Sequence, residues 1–325
     1  MDPARPQPVS REASESLIAS AALTSTNPAA GLFGPASITW RINRESAIFL
    51  GAGRAALLQL AHPWVATALE QHSTLMQRPI ARFHSTFRIV FTMVFGSLAQ
   101  ATAAARQLYG THTHIQGELT EPAGRYPNGA HYEANEIAAL RWVFATLVES
   151  AVLAYEFVLP PLSDAELDAY YTENCTLAAL FGLPAASLPP DWKSFLIYCR
   201  EMEQSDQLGV TTSARAMAQS LMAGAGSGVA RLLKPPHWYR ALTTQGLAPR
   251  FREEFALPFA PREEQAIARA HRRLPRLYRA LPAAVRFVGP YHEAQSRLAD
   301  RPPGPLTRAS NRFWIGQPRM PFGED

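Results

Sequence analysis

From about residue 41 onward, apolar residues recur at three- and four-residue spacing almost without interruption, and no stretch alternates apolar and polar with a period of two between turn pairs. A chain patterned this way buries helical stripes, not the faces of a sheet. We therefore expect an all-α fold, a single multi-helix globular domain. The pattern predicts helices over about 50–77, 82–117, 136–158, 163–181, 191–205, 211–223, 228–246, 261–281 and 283–298. Ser163 ahead of Asp164 and Glu166 reads as an N-cap with an acidic first turn. Pro261 followed by Glu263 and Glu264 opens a further helix, and Gly182 before Pro184 closes another. Gly224–Gly228 reads as a joint. Residues 1–35 are expected as a partly disordered N-terminal tail, 36–302 as the domain and 303–325 as a C-terminal tail.

Composition excludes several classes. At 47% hydrophobic and 18% charged residues over 325 positions, the chain is globular, not disordered. A net charge of +4 is too small to argue for nucleic acid. Two cysteines, Cys175 and Cys199, rule out a disulfide framework or a multi-cysteine metal centre and suit a reducing, cytoplasmic setting. The longest apolar run, Trp142 to Leu159, is interrupted by Glu149 and Glu156, which argues for a buried helix and against a membrane span. Nothing in the composition sets the oligomeric state.

Two motifs tempt. Gly51-Ala-Gly53-Arg-Ala-Ala56 matches the dinucleotide fingerprint, with Glu70 downstream. That fingerprint has meaning only between a strand and a helix of a parallel sheet, and helix follows helix here. No Glu-x-x-His pair of the di-iron bundles is present.

Histidines on apolar stripes carry more. Leu98, Ala101, Ala105, Leu108, His112 and Ile115 form one continuous seam, so His112 points inward and His114 does not. Gly110 leaves room near it. A second seam, Leu58, His62, Val65, Leu69, His72 and Met76, turns two more histidines inward, with Pro63 kinking the helix at His62. An inward histidine is a satisfied core residue more often than a ligand. Arg82 and Thr86 share a face with Ile89 and Met93, flanked by Ser85. An inward arginine needs a partner. That partner is either Glu149, in a buried ion pair, or an anionic group such as a carboxylate of a bound cofactor.

The ordered set Gln59-Leu-Ala-His-Pro63, Glu70-Gln-His-Ser73, Arg82-Phe-His-Ser-Thr86, Phe95-Gly96, His112-Thr-His-Ile-Gln-Gly117, Trp142-Val-Phe-Ala-Thr-Leu147 and Ala154-Tyr-Glu156 resembles the family of latex-clearing rubber oxygenases and MpaB-type oxygenases. The resemblance runs from about residue 40 to 300. It implies an all-helical fold holding haem b, with iron bound by one proximal histidine and dioxygen on the opposite side. The family's ligand pattern falls on His112, Ile115 and Gly117, which makes His112 the metal ligand and Gly117 part of the cofactor site. Its Arg-x-x-Lys-Thr pattern falls on Arg82, Ser85 and Thr86, placing Arg82 and Thr86 among the catalytic and cofactor-binding groups. Glu70 is the nearest carboxylate for a general base, and His62 is the second histidine expected at the cofactor. Two departures stand out. Ser85 replaces the family's lysine, so cleavage of long polyisoprene does not carry over. Phe144 replaces a frequent histidine. The expected activity is oxygenation of an apolar small molecule, such as an unsaturated one. The alternatives are a haem- or lipid-binding protein without turnover, and a helical scaffold whose inward histidines are merely satisfied.

Overall fold

The computed structural model describes residues 7–73, 75, 78–224 and 235–322. Met76 of the second seam and the Gly-rich segment 225–234 lie outside the described residues, as do both chain ends. Among the described residues the chain forms sixteen α-helices and one two-stranded ribbon. In order these are α1 Arg11–Ala22, α2 Ile38–Asn43, α3 Ala52–Leu60, α4 Pro63–His72, α5 Pro79–Phe95 and α6 Leu98–His112. Strands β1 Gln116–Glu118 and β2 His131–Glu133 follow. Then come α7 Ile137–Val158, α8 Asp164–Leu180, α9 Trp192–Gln204, α10 Thr212–Ala223, α11 His237–Gln245 and α12 Pro249–Glu254. The last four are α13 Pro261–Ala280, α14 Ala283–Arg286, α15 Gly289–Leu298 and α16 Pro305–Ile315. The all-α expectation holds.

Two of the expected helices are each two. The 50–77 helix breaks at His62, which takes an extended conformation (φ −86°, ψ 117°) because the ring of Pro63 disfavours helical backbone in the residue before it. Pro63 then opens α4, where its missing N–H costs nothing. The 82–117 helix breaks at Gly96–Ser97. Ser97 accepts from the Gln100 N–H at 3.2 Å and Gln100 Oε1 accepts from the Ser97 N–H at 2.9 Å, a reciprocal cap that starts α6 anew. A Cβ at Gly96 would overlap the Thr92 carbonyl oxygen, so only glycine closes the turn.

α7 is the central helix. It is long and apolar enough by composition to cross a membrane, but here Trp142, Phe144, Ala145, Val148 and Val152 are all buried in the main core. The Trp142 indole donates to the Leu58 carbonyl at 2.8 Å, tying α7 to α3. Gly51 and Gly53 belong to this packing, not to a nucleotide loop. A Cβ at Gly51 would overlap the Ser150 carbonyl of α7, and one at Gly53 would overlap the Thr243 hydroxyl of α11.

A second core joins α2, α5, α6, α15 and α16 through Trp40, Phe91, Phe95, Ala101, Ala105, Val288 and Ile315. The segments expected as tails supply part of it. Ile18 of α1 and Ile315 of α16 are buried, and buried Asn311 donates to Glu293 of α15.

Candidate functional site

α5 and α6 form an antiparallel hairpin about the Gly96–Ser97 turn. Arg82 lies 14 residues before Gly96 and His112 lies 15 after Ser97. At about 1.5 Å per residue both stand roughly 22 Å from the turn, at the same end of the hairpin. A single unbroken helix would have held them about 45 Å apart.

His112 is only half-buried by accessible surface, yet surrounding protein pushes its pKa down to about 4. Desolvation is the larger cause and the nearby Arg82 guanidinium the second. The neighbouring Asn135 side-chain amide opposes the shift. Asn135 is itself buried and donates to the Tyr109 carbonyl at 3.3 Å, one turn before His112. His112 is thus a neutral imidazole beside a buried amide. A metal-binding histidine needs that neutral state, and a neighbouring polar group is the kind of partner that can orient such a ring.

Arg82 is half-buried, and burial lowers its pKa. Its Nη1 reaches Thr86 Oγ1 at 3.2 Å and Ser85 Oγ at 3.4 Å. No carboxylate among the described residues pairs with it. The expected partner, Glu149, belongs to Arg54. Arg54 Nη2 lies 2.7 Å from Glu149 and 3.2 Å from Glu203, while its Nε donates to the Gly246 carbonyl at 2.8 Å. Of the two readings of an inward Arg82, the buried pair with Glu149 is excluded.

Every residue of α5 from Arg82 to Val90 is half-buried, whereas Phe91 to Phe95 are fully buried. A helix packed on one face shows alternating burial. Half-burial on all sides leaves this stretch only partly covered by its neighbours. One side of it packs on aromatic rings. The Phe83 and Phe87 rings lie 5.3 and 4.6 Å from Phe49, which stacks on Trp314 of α16 at 4.3 Å.

The remaining predicted residues divide. His62 is buried, and its Nδ1 has no partner among the described residues. Desolvation drives its pKa to about 3. It stands in a separate cluster with Trp64 and Tyr126, ring centroids 5.9 Å away in each case. His72, expected inward, is exposed and within 3.1 Å of the Gln116 carbonyl, because the break at His62 rotates the seam away from the core. Glu70 is exposed on the same helix, and its charge helps hold the Tyr132 phenol up at about 12, behind desolvation. Gly117 pairs with Tyr132 across the ribbon, and a Cβ there would come within 2.6 Å of Gln71 Oε1 and 2.8 Å of the Tyr132 hydroxyl. Its glycine is explained by that approach. His114 is exposed, and Phe144 sits in the main core. Sequence reasoning missed Asn135, an isolated polar residue outside any periodic stripe.

Among the described residues no three His, Cys, Asp or Glu side chains converge on one point. A cage of protein ligands is therefore not built here. A macrocycle that carries its own four donors needs only one.

The family model described as ER-bound oxygenase mpaB/B'/Rubber oxygenase, catalytic domain, matches residues 39–286. The chain belongs to this oxygenase family. The match takes in α5, α6 and α7 and stops before α15 and α16, so the C-terminal helix that stacks Trp314 on Phe49 lies beyond the matched region. No curated protein and no solved structure gives a significant match.

Proposed function

We propose that this chain is a haem b-dependent oxygenase acting with dioxygen on an apolar small molecule, with His112 as the residue that would hold the haem iron. The observation that carries the reading is a neutral imidazole, His112, at the same end of one hairpin as a guanidinium, Arg82, that meets no carboxylate among the described residues. Haem b fits both groups. Its iron takes one neutral nitrogen ligand, and its carboxylates suit an arginine without a carboxylate of its own.

Bound there, haem b would supply the electron chemistry that activates dioxygen. The chain's own contributions follow from its residues. Asn135, fixed by its bond to the Tyr109 carbonyl, places an amide beside the His112 ring, where it would orient the imidazole toward the iron. Arg82 anchors an anionic edge, and Thr86 and Ser85 hold its guanidinium in place. Phe83 and Phe87, packed on Phe49, form an apolar wall that would exclude water and favour an apolar substrate. Ser85 offers a short hydroxyl where the family's lysine carries a long charged stem. We expect no cleavage of long polyisoprene and a preference for smaller substrates.

The absorption spectrum of freshly purified protein tests the cofactor. A Soret band is expected, lost in His112→Ala and kept in His114→Ala. A colourless protein that takes up no added hemin would overturn the reading. Oxygen uptake with a set of small alkenes then separates an oxygenase from a haem carrier, which would show the band and no uptake.

A further inference from the structure

α13 runs off the core partway along its length. Ala266, Ile267 and Ala270 are buried, and Leu274 and Tyr278 are half-buried. Leu277 and Leu281 continue the same helical stripe, yet they are 62% and 41% exposed, and Val285 of α14 is 61% exposed. From Arg276 to Val285 every residue but Tyr278 is exposed, and apart from Tyr278 and two arginines all of them are apolar.

Charge is concentrated beside this stripe. Arg269, Arg272, Arg273, Arg276 and Arg279 are all exposed, and none forms an ion pair among the described residues. No Asp or Glu occurs between Glu264 and Glu293. The five arginines alone exceed the whole chain's net +4. An arginine-flanked apolar stripe at the protein surface has the chemistry of a helix lying in a membrane interface, where guanidinium groups meet phosphates and the apolar residues enter the acyl boundary.

An apolar groove of about 360 Å³ opens along the same stripe, lined by Leu274, Leu277 and Leu281 with Trp238, Tyr239 and Phe49. Phe49 is also the residue packed on Phe83 and Phe87 of α5. The groove therefore backs onto the aromatic wall beside Arg82.

We propose that the α13–α14 face docks on an anionic lipid bilayer, with Leu277, Leu281 and Val285 inserted and the five arginines on the headgroups. The protein lies on the surface in this arrangement and does not span it. The inference does not depend on the cofactor.

Co-sedimentation of the full chain with vesicles tests it. Binding is expected to phosphatidylcholine vesicles containing phosphatidylserine, not to pure phosphatidylcholine, and to weaken as salt rises. Each arginine neutralised should weaken binding about fivefold, so Arg272→Gln with Arg276→Gln loses roughly 25-fold. Leu277→Asp should lose binding with the arginines intact. Arg262→Gln, next to Glu263 and Glu264, should bind as wild type. The mutated side chains are exposed, so thermal melts should confirm intact folding in each variant. No sedimentation with anionic vesicles overturns the proposal, as does binding undiminished in both the arginine and Leu277 variants. Tighter binding to a DNA duplex than to the vesicles, indifferent to Leu277, would show a general polyanion surface and overturn it equally.

Discussion

Arg82 and His112, thirty residues apart in sequence, stand at the same end of the α5–α6 hairpin, near enough for the guanidinium charge to help depress the imidazole pKa. Two groups that repel one another when both are charged are thereby held together, and the histidine yields its proton. The arginine keeps its charge with no carboxylate among the described residues to meet it. That combination suits a ligand that offers a metal to the nitrogen and an anion to the guanidinium.

The first prediction follows from the order of those causes. Desolvation depresses His112 more than Arg82 does. In Arg82→Met the His112 pKa should rise from about 4 yet stay below the ordinary 6.5. Titration of the ring carbon protons by NMR in the cofactor-free protein reads this directly. An unmoved pKa would mean that the guanidinium charge does not act on the ring.

Two inward arginines should respond to very different degrees to the same substitution. Arg54→Met strands Glu149 and Glu203 in a half-buried site where desolvation already raises the Glu203 pKa. Losing one member of a buried charge network typically costs about 3–5 kcal/mol. Arg82→Met strands no carboxylate, so the cofactor-free protein should lose no more than about 1 kcal/mol. Urea unfolding of both variants without cofactor makes the comparison. Similar losses in the two would mean that Arg82 has a buried anionic partner in the folded chain.

His62 makes stability depend on pH. Its folded pKa of about 3 lies far below the ordinary 6.5, so below pH 6.5 the unfolded chain binds a proton that the folded chain refuses. Stability is therefore full above pH 6.5 and falls as pH drops toward 3. Between pH 7 and pH 5 this one residue should remove about 2 kcal/mol. His62→Phe should flatten that part of the profile by the same amount, measured as urea midpoints at each pH. An identical slope in the variant would show that His62 can accept its proton in the folded state.

Much of this was legible in the sequence. Its periodicity gave the helical class, and the 98–115 seam placed His112 inward. The break at Gly96–Ser97 was harder to see, because Gly and Ser also occur inside helices and the apolar pattern runs through the turn. The signal that could have found it is Ser97 three residues before Gln100, a capping pair. Without that break Arg82 and His112 could not be brought together. Which of the two open partners meets Arg82 is hidden from the sequence for a different reason. Periodicity says that Glu149 faces inward, but only tertiary packing decides which inward arginine it meets, and α3 lies against α7 with Arg54 toward it. His72 failed because a kink at His62 changes the phase of every later residue in the seam.

The Gly51–Gly53 pair supplies the last prediction. Read as a dinucleotide loop, its glycines would give backbone room for a phosphate, and alanine there would spare the fold and abolish nucleotide binding. The structure assigns them to helix packing. At Gly53 the obstacle to a Cβ is the Thr243 side chain of α11, and at Gly51 it is the Ser150 backbone of α7. Overpacking of this kind costs about 1–3 kcal/mol. Gly53→Ala should be destabilised by about that much, and Thr243→Ala should recover a large part of the loss, because it removes both the hydroxyl and the methyl that crowd the new Cβ. No side-chain change at Ser150 should recover Gly51→Ala, since a carbonyl cannot be mutated away. A double-mutant cycle in urea measures the coupling. If Gly53→Ala costs as much with Thr243→Ala as without it, close helix packing is not why the glycine is there.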